Sequence, residues 1–437
     1  MKATARGDRT EAEERLARVP FRALHGLAAS LDRPLGEVLL GAPAEKVLDR
    51  YLRDHPALDR EARAAVAEAI FGVGLWRRRL AWHAGLDEVA AEPSRATAAD
   101  ARSLLFALLR DLAGWEGREA ARLLELEEGA LPEPRPPPQA LEVRASLPGW
   151  LARALGEELG EESVALAEAL ALPGPVALRP NLLRTTPGAL RARLAALGVA
   201  TLPGRLVPGA LIVTSPRPNL YRLAAELAGW FEVQDEGSQL VGALLGARPG
   251  EAVLDLCAGA GGKALQLAAL VGPGGAVHAS DVDQERLGRL ARRAARAGAS
   301  GIVRVHGAIP PEDLLVDRVL VDAPCSELGA LRRGPDARFR LDPASFAGLP
   351  ALQRALVLRG LAHLRPGGVL AYATCTFPRA ENEAVALAVE EAAPELERHR
   401  PDPARAPVTP EGFVRTWPHR HGCDGFFVAL WHKHRRA

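Results

Sequence analysis

The stretch EAVLDLCAGAGGKALQLAAL, Glu251 to Leu270, decides the fold. A short apolar run ends at Asp255, glycines follow at 259, 261 and 262, and apolar helical spacing resumes near Lys263. This is a strand, a tight glycine turn and a helix. Glycine supplies sharp backbone geometry and leaves no side chain between the main chain and a ligand. The loop is not a Walker loop, because Lys263 is followed by Ala264 and the GxxxxGK[ST] spacing is absent. It does not meet the GxGxxG dinucleotide pattern either.

The next apolar run ends in ASDVD, with Asp281 at its end and Asp283 two residues on. An acid after the second strand is where nucleoside-binding α/β folds grip a ribose hydroxyl pair. Asp281 is the candidate and Asp283 the runner-up. A glycine loop without phosphate-binding features, plus this acid, points to an adenosine ligand lacking a pyrophosphate. S-adenosylmethionine fits. The same residues are also compatible with a plain tight turn and a helix N-cap at Asp281.

Working outward, strand and helix patterns alternate from about Trp230. Candidate strands are Ala252–Cys257, Ala276–Asp281, Ile302–His306, Arg318–Asp322, Gly368–Thr374, Val414–Trp417 and Phe426–Trp431. Such alternation implies a mostly parallel sheet covered on both faces. Before it, LDREARAAVAEAIFGVGLWRRRLAW places Ala65, Ala69, Val73 and Trp76 on one helical face. TAADARSLLFALLRDLAG starts at Thr97/Asp100 and stops at Gly114. The proline-rich ALPEPRPPPQA reads as an extended linker. The expected organisation is multidomain: a helical bundle over 1–129, a linker over 130–140, a small α+β segment over 141–228 and an α/β Rossmann-like domain over 229–437.

The bulk properties are those of a globular chain: of 437 residues, 48% are hydrophobic and 25% charged. No apolar run approaches the ~20 residues that span a bilayer. The start, MKATARGDRTEAEERLARVP, lacks the apolar core of a secretory signal. A cytoplasmic monomer is therefore expected. A net charge of +1 neither demands nor excludes nucleic acid. Four of the 55 basic residues are lysines, so a lysine within a motif stands out.

The four cysteines, at 257, 325, 375 and 423, are too few for a disulfide framework and none pairs as CxxC. No metal is expected. DAPCSELGALRR and YATCTFPRAENE each put a cysteine where an apolar run stops. Ligands in open α/β sheets sit beyond the carboxyl ends of strands, so Cys325 and Cys375 would share one crevice with the glycine loop. A thiolate that adds to C6 of a pyrimidine turns C5 into an enamine carbon able to take a methyl group. A second thiol nearby could then help remove the C5 proton, and Asp322 is placed to meet the ring's N3 and exocyclic amine. Both thiols also fit the simpler role of small buried hydrophobes. Cys423 is read as structural, and the Cys257 thiol as inert.

These motifs together resemble a known family. DLCAGAGGK, VDAPCSELGALRR, ATCTFPRAENE and DGFFVALWHK, preceded by VQDEGSQL, are similar to the successive motifs of the RsmB/NOP2/Sun family of RNA 5-methylcytosine methyltransferases, over roughly residues 230–432. The N-terminal helices, best in AEAIFGVGLWRRRLAW, resemble the NusB-like RNA-binding domain of the RsmB branch, which acts on 16S rRNA. The resemblance implies a class I methyltransferase domain using S-adenosylmethionine. It implies Cys375 as the nucleophile and Cys325 as the thiol that assists release. It assigns Cys257, Ala258, Gly259, Ala260, Gly261, Gly262, Lys263, Asp281 and Asp322 to the cofactor, with Lys263 and Asp322 also near the reacting base.

Three features depart from the family pattern. The loop reads CAGAGGKA where CAAPGGKT is usual, Ala308 stands where an acid or amide would hold the adenine amine, and Glu327 interrupts the usual SGTG. With Ala308, adenine is expected to be held by backbone groups or stacking. RNA contact is expected from Arg332 and Arg333 and from Arg77 and Arg78 on the bundle. The arginines at 286, 289, 292, 293 and 296 read as a solvated helix face. The leading function is methylation of cytosine C5 in RNA. The alternatives are a non-catalytic RNA-binding assembly factor on a relic fold and a small-molecule methyltransferase.

Overall fold

The computed structural model describes residues 9–127, 131–215 and 218–434. Residues 128–130, where the sequence places the end of the bundle and the start of the linker, lie outside that set, as do 1–8 and 435–437. The chain forms two compact units: Met1–Pro173 with Leu331–Pro343, and Gly174–Ala330 with Ala344–Ala437.

The first unit is helical. Its longest helix, Arg60–His83, is capped by Asp59, whose carboxylate accepts from the Ala62 N–H at 2.8 Å. Ala65, Ala69, Val73 and Trp76 are all buried on it, in one core with Leu16, Leu31 and Leu108. The Thr97/Asp100 start is a capping box, and Gly114 closes the following helical run at φ 76°. The polyproline stretch does not divide the chain. Trp82 Nε1 donates to the Pro136 carbonyl at 3.0 Å, and the helices Gly149–Leu159 and Ser163–Ala171 continue the same unit. A run of prolines disfavours helix, but an extended strap can still pack on one.

The second unit begins with a four-stranded antiparallel sheet of β1 (Ala177–Pro180), β2 (Thr201–Pro203), β3 (Leu211–Val213) and β4 (Phe231–Val233), in the order β2-β3-β1-β4. Its core joins Leu178, Leu190, Leu194, Leu211 and Phe231. The sheet thus starts well after residue 141 and its last strand lies past residue 228. Three-residue strands carry too little alternation to reveal that β4 pairs with β1.

The large sheet contains β5 (Ala252–Asp255), β6 (Ala276–Ala279), β7 (Val303–Val305), β8 (Val316–Asp322), β9 (Leu364–Thr374), β10 (Leu396–Arg398), β11 (Val414–Arg415) and β12 (Phe427–Lys433). Its order is β10-β12-β9-β8-β5-β6-β7, with β11 also paired to β12. Strands β5 to β9 pair in parallel, whereas β12 runs antiparallel to β9. Along β8, Leu320 enters one core while Val319 and Val321 enter another. Both faces are therefore covered, as expected for a parallel sheet. The short edge strand β10 has no counterpart among the expected strands.

Candidate active site

Strands β8 and β9 are parallel neighbours, with Asp322 opposite Ala373. Cys325 follows the end of β8 and Cys375 directly follows β9, so both lie at the carboxyl edge of the sheet. Their Sγ atoms are 3.5 Å apart and both cysteines are free. A disulfide would need about 2.05 Å. Gly329 closes the two cysteine loops on each other: its N–H donates to the Cys375 carbonyl at 3.0 Å, and an added Cβ would lie 2.2 Å from the Gly425 carbonyl oxygen.

A buried carboxylate ties these loops together. Glu381 accepts from the Ser326 N–H at 3.0 Å, the Ser326 hydroxyl at 2.6 Å and Gln353 Nε2 at 2.9 Å. Gln353 Nε2 also donates to the Pro324 carbonyl, and Ser326 Oγ lies 2.7 Å from Thr376 Oγ1. Pro324 and Ser326, on either side of Cys325, and Thr376, which follows Cys375, are thus held by one network. Charge-assisted hydrogen bonds of this kind are stronger than neutral ones.

The glycine loop joins β5 to the helix Gly262–Val271. Gly261 has φ 89°, and a Cβ there would meet Leu290 at 2.1 Å. Asp281 organises this loop: one carboxylate oxygen accepts from the Gly259 N–H and the other from the Asp283 N–H, both at 2.8 Å. Asp283 itself caps the helix Gln284–Ala297 through the Arg286 N–H. Arg293 braces the loop from outside, donating to the Ala260 carbonyl at 2.5 Å and to Glu232 at 2.7 Å. That arginine is therefore not simply part of a solvated face.

A cavity of about 620 Å³ runs from Cys257–Ala260 and Asp281 past Asp322 to Cys325 and Cys375. This size suits a small-molecule site. Its floor of small residues, the acid at its rim and the open space where Cβ atoms on Gly259 and Gly262 would project fit an adenosine-type cofactor.

Charges converge on this cavity. Lys263 Nζ donates to Asp322 Oδ2 at 2.5 Å and lies 5.2 Å from the Phe426 ring centre. Burial disfavours the Lys263 ammonium, yet the charge and hydrogen bond of Asp322 outweigh it and raise its pKa. The Cys375 thiol is pushed up by its hydrogen bond to Cys325, by burial and by the carboxylates of Asp322 and Glu327. Burial, then Asp255 and Asp322, likewise push the Cys257 thiol up, which makes it a poor nucleophile. Asp255, sealed beneath the loop, is raised to about 7 by burial and by Asp322.

Two RNA expectations need correction, because the arginines concerned turn inward. Arg77 is 3% and Arg78 8% exposed. Arg77 donates to the Val38 and Leu39 carbonyls, at the end of the helix Ala28–Leu39, at 3.2 and 3.3 Å. Arg78 donates to the Ala90, Ala91 and Leu147 carbonyls. Guanidinium groups that satisfy helix-end carbonyls are unavailable to phosphates. Arg332 is also buried, whereas Arg333 is exposed. Both belong to the first unit. Glu381 and Gln353 were not singled out from the sequence, and Arg293 reads there as part of a solvated face. Only Glu381, inside the ATCTFPRAENE motif, had a signal there.

The family described as "16S rRNA methyltransferase RsmB/F" matches residues 242–432, and a second family, "Methyltr_RsmF/B-like, ferredoxin-like domain", matches residues 147–219. The chain belongs to the RsmB/NOP2/Sun family. It is 35% identical over 299 residues to a Synechocystis protein named "Probable ribosomal RNA small subunit methyltransferase B", covering 65% of this chain and 66% of that one. It is 39% identical over 220 residues to "Ribosomal RNA small subunit methyltransferase F" of Salmonella arizonae, covering 47% of this chain and 45% of that one. The chain thus spans just under two thirds of the first of these relatives and under half of the second. A solved methyltransferase homologue from Pyrococcus horikoshii matches 67% of this chain and 97% of its own, at TM-score 0.59 and 26% identity.

Proposed function

We propose that this chain is an S-adenosylmethionine-dependent methyltransferase acting on C5 of cytosine in RNA, with 16S rRNA as its substrate. The observation that carries this reading is the pair of free thiols 3.5 Å apart in the cavity that the glycine loop also lines. The printed family description and the names of the two rRNA methyltransferases above support the substrate class. A non-catalytic RNA-binding protein would leave the two thiols and the Lys263–Asp322 pair without a task.

Residues 257–263 and Asp281 would hold the cofactor, which supplies an electrophilic methyl group when bound. Cys375 gives its proton to a base and its sulfur adds to C6; the C5–C6 π bond breaks, N3 takes up a proton, and C5 becomes the nucleophilic carbon of an enamine spanning C4 and C5. Asp322, held by Lys263, accepts from the exocyclic amine and fixes the ring. Once C5 carries the methyl group, its proton leaves to a base and the C6–S bond breaks, restoring the ring and the Cys375 thiolate. Cys325 stands beside that sulfur and serves this release. The helical unit, read as NusB-like, and the small sheet are assigned to RNA binding.

Cys375→Ser should abolish methylation. Cys325→Ser should accumulate a protein–RNA adduct that survives denaturant. An adduct that forms with Cys375→Ser and needs Cys325 would reverse the two roles. Unchanged methylation in both variants would remove the thiol chemistry altogether.

A further inference from the structure

The cavity extends over the carboxyl ends of β5 to β9, away from the thiols, to a cluster of Val282, Ala308, Leu352, Leu356 and Arg359. Val282 follows Asp281 and is 82% exposed, an apolar face beside the acid assigned to the ribose. Ala308 follows β7, and Arg359 projects from the helix Leu349–Ala362. Arg359 Nη2 donates to the Ala308 carbonyl at 2.7 Å. Its Nε is buried without a hydrogen-bond partner, and among the described residues no carboxylate pairs with it. A cation therefore stands beside position 308, which carries only a methyl group and offers its carbonyl alone as an acceptor.

We infer that Arg359 reads the purine ring of the cofactor, so that recognition at this end of the site rests on a donor cation rather than on an acceptor for the exocyclic amine. This rests on the cofactor reading above. An adenine ring seated against Val282 presents ring nitrogens that accept hydrogen bonds, and a guanidinium supplies fixed donors and can lie against a π face. The exocyclic amine, a donor, finds no side-chain partner at 308. A purine with an oxygen in place of that amine offers Arg359 an acceptor on C6 and keeps N7 as an acceptor, while its N1 turns from acceptor to donor. The site should tolerate that exchange, whereas an acid at 308 would reject it. Arg359 is thus a specificity-determining residue, and Ala308 is the complementary change.

Calorimetric titration of the full chain with S-adenosylhomocysteine and with S-inosylhomocysteine tests this without turnover. The two should bind the unaltered protein within about threefold of each other. Arg359→Ala should weaken both by about tenfold, the inosyl compound at least as much as the adenosyl one. Adding Ala308→Asp to Arg359→Ala should restore selectivity for the adenosyl compound. Arg359→Gln, which keeps the donor to the Ala308 carbonyl, carries the same comparison if thermal melting shows that Arg359→Ala does not fold. More than tenfold discrimination by the unaltered protein, or unchanged affinity in the Arg359 variants, overturns the inference and leaves the cofactor reading intact. Failure of S-adenosylhomocysteine to bind the unaltered protein overturns both.

Discussion

The Glu381 carboxylate holds Ser326 twice, by its N–H at 3.0 Å and by its hydroxyl at 2.6 Å. Ser326 follows Cys325, and its hydroxyl also lies 2.7 Å from Thr376, which follows Cys375. One buried acid thereby sets the spacing of two thiols from different strands. Glu381→Gln keeps the shape but exchanges an acceptor for a donor at the Ser326–Gln353 cluster. The expected result is a 10- to 100-fold fall in kcat, in the range roughly expected for a misplacement near 1 Å, with the cofactor KM unchanged. Steady-state kinetics separates the two constants. A purely structural role would instead lower the amount of folded enzyme and leave kcat per folded molecule alone.

Arg293 links the Ala260 carbonyl of the glycine loop to Glu232 on β4. Arg293→Ala should release the loop and raise the cofactor KM by about tenfold, the worth of one charged hydrogen bond. Arg293→Lys, with a single cationic donor, should recover part of that loss. Equal KM values across the series would show that the brace is dispensable.

Asp255 gives a pH-dependent stability. Its folded pKa is raised to about 7, above the ~3.9 of an unfolded aspartate. The native state therefore holds a proton that the unfolded chain has lost between those values. Its contribution is present in full below about pH 4 and falls away as pH rises through 7. Asp255→Asn should remove this loss. The variant should gain on the order of 2–3 kcal/mol relative to the parent on going from pH 5 to pH 8. Urea unfolding at the two pH values measures it, and a constant difference between the proteins would count against the assignment.

Glu327 occupies the left-handed region at φ 57° and faces the cavity. A non-glycine residue there costs roughly 1–2 kcal/mol. Glu327→Gly should therefore raise the denaturation midpoint. The same change removes one of the carboxylates that push the Cys375 thiol up. Thiolate should then form at lower pH, and the pH profile of adduct formation should move in the acid direction. An unmoved profile would place the Glu327 charge too far from the sulfur to matter.

Much of this was legible from local order. Strand, glycine turn and helix follow each other within twenty residues around Gly259, and the alternation of β and α that follows them implies a parallel sheet. Cysteines at strand ends fall on the carboxyl edge in any such sheet, so Cys325 and Cys375 could be placed in one crevice before their distance was known. The chemistry of the site was therefore written in residues whose neighbours along the chain define their positions.

Other features depended on packing between distant segments. Arg77 and Arg78 look like a basic patch in a linear reading, yet their guanidinium groups reach main-chain carbonyls as many as 69 residues away. Arg293 looks like one member of a charged helix face until β4 brings Glu232 to it. Arg359 carries no motif at all, and only the sheet order that sets β7 and the helix Leu349–Ala362 around one cavity brings it to Ala308. Sequence alone determined the strand-end positions of the thiols and the glycine loop, because backbone conformation there is dictated by adjacent residues. Tertiary structure alone decided which charges are buried, paired or presented to the cavity, because a long polar side chain takes its partners from whatever the fold packs beside it.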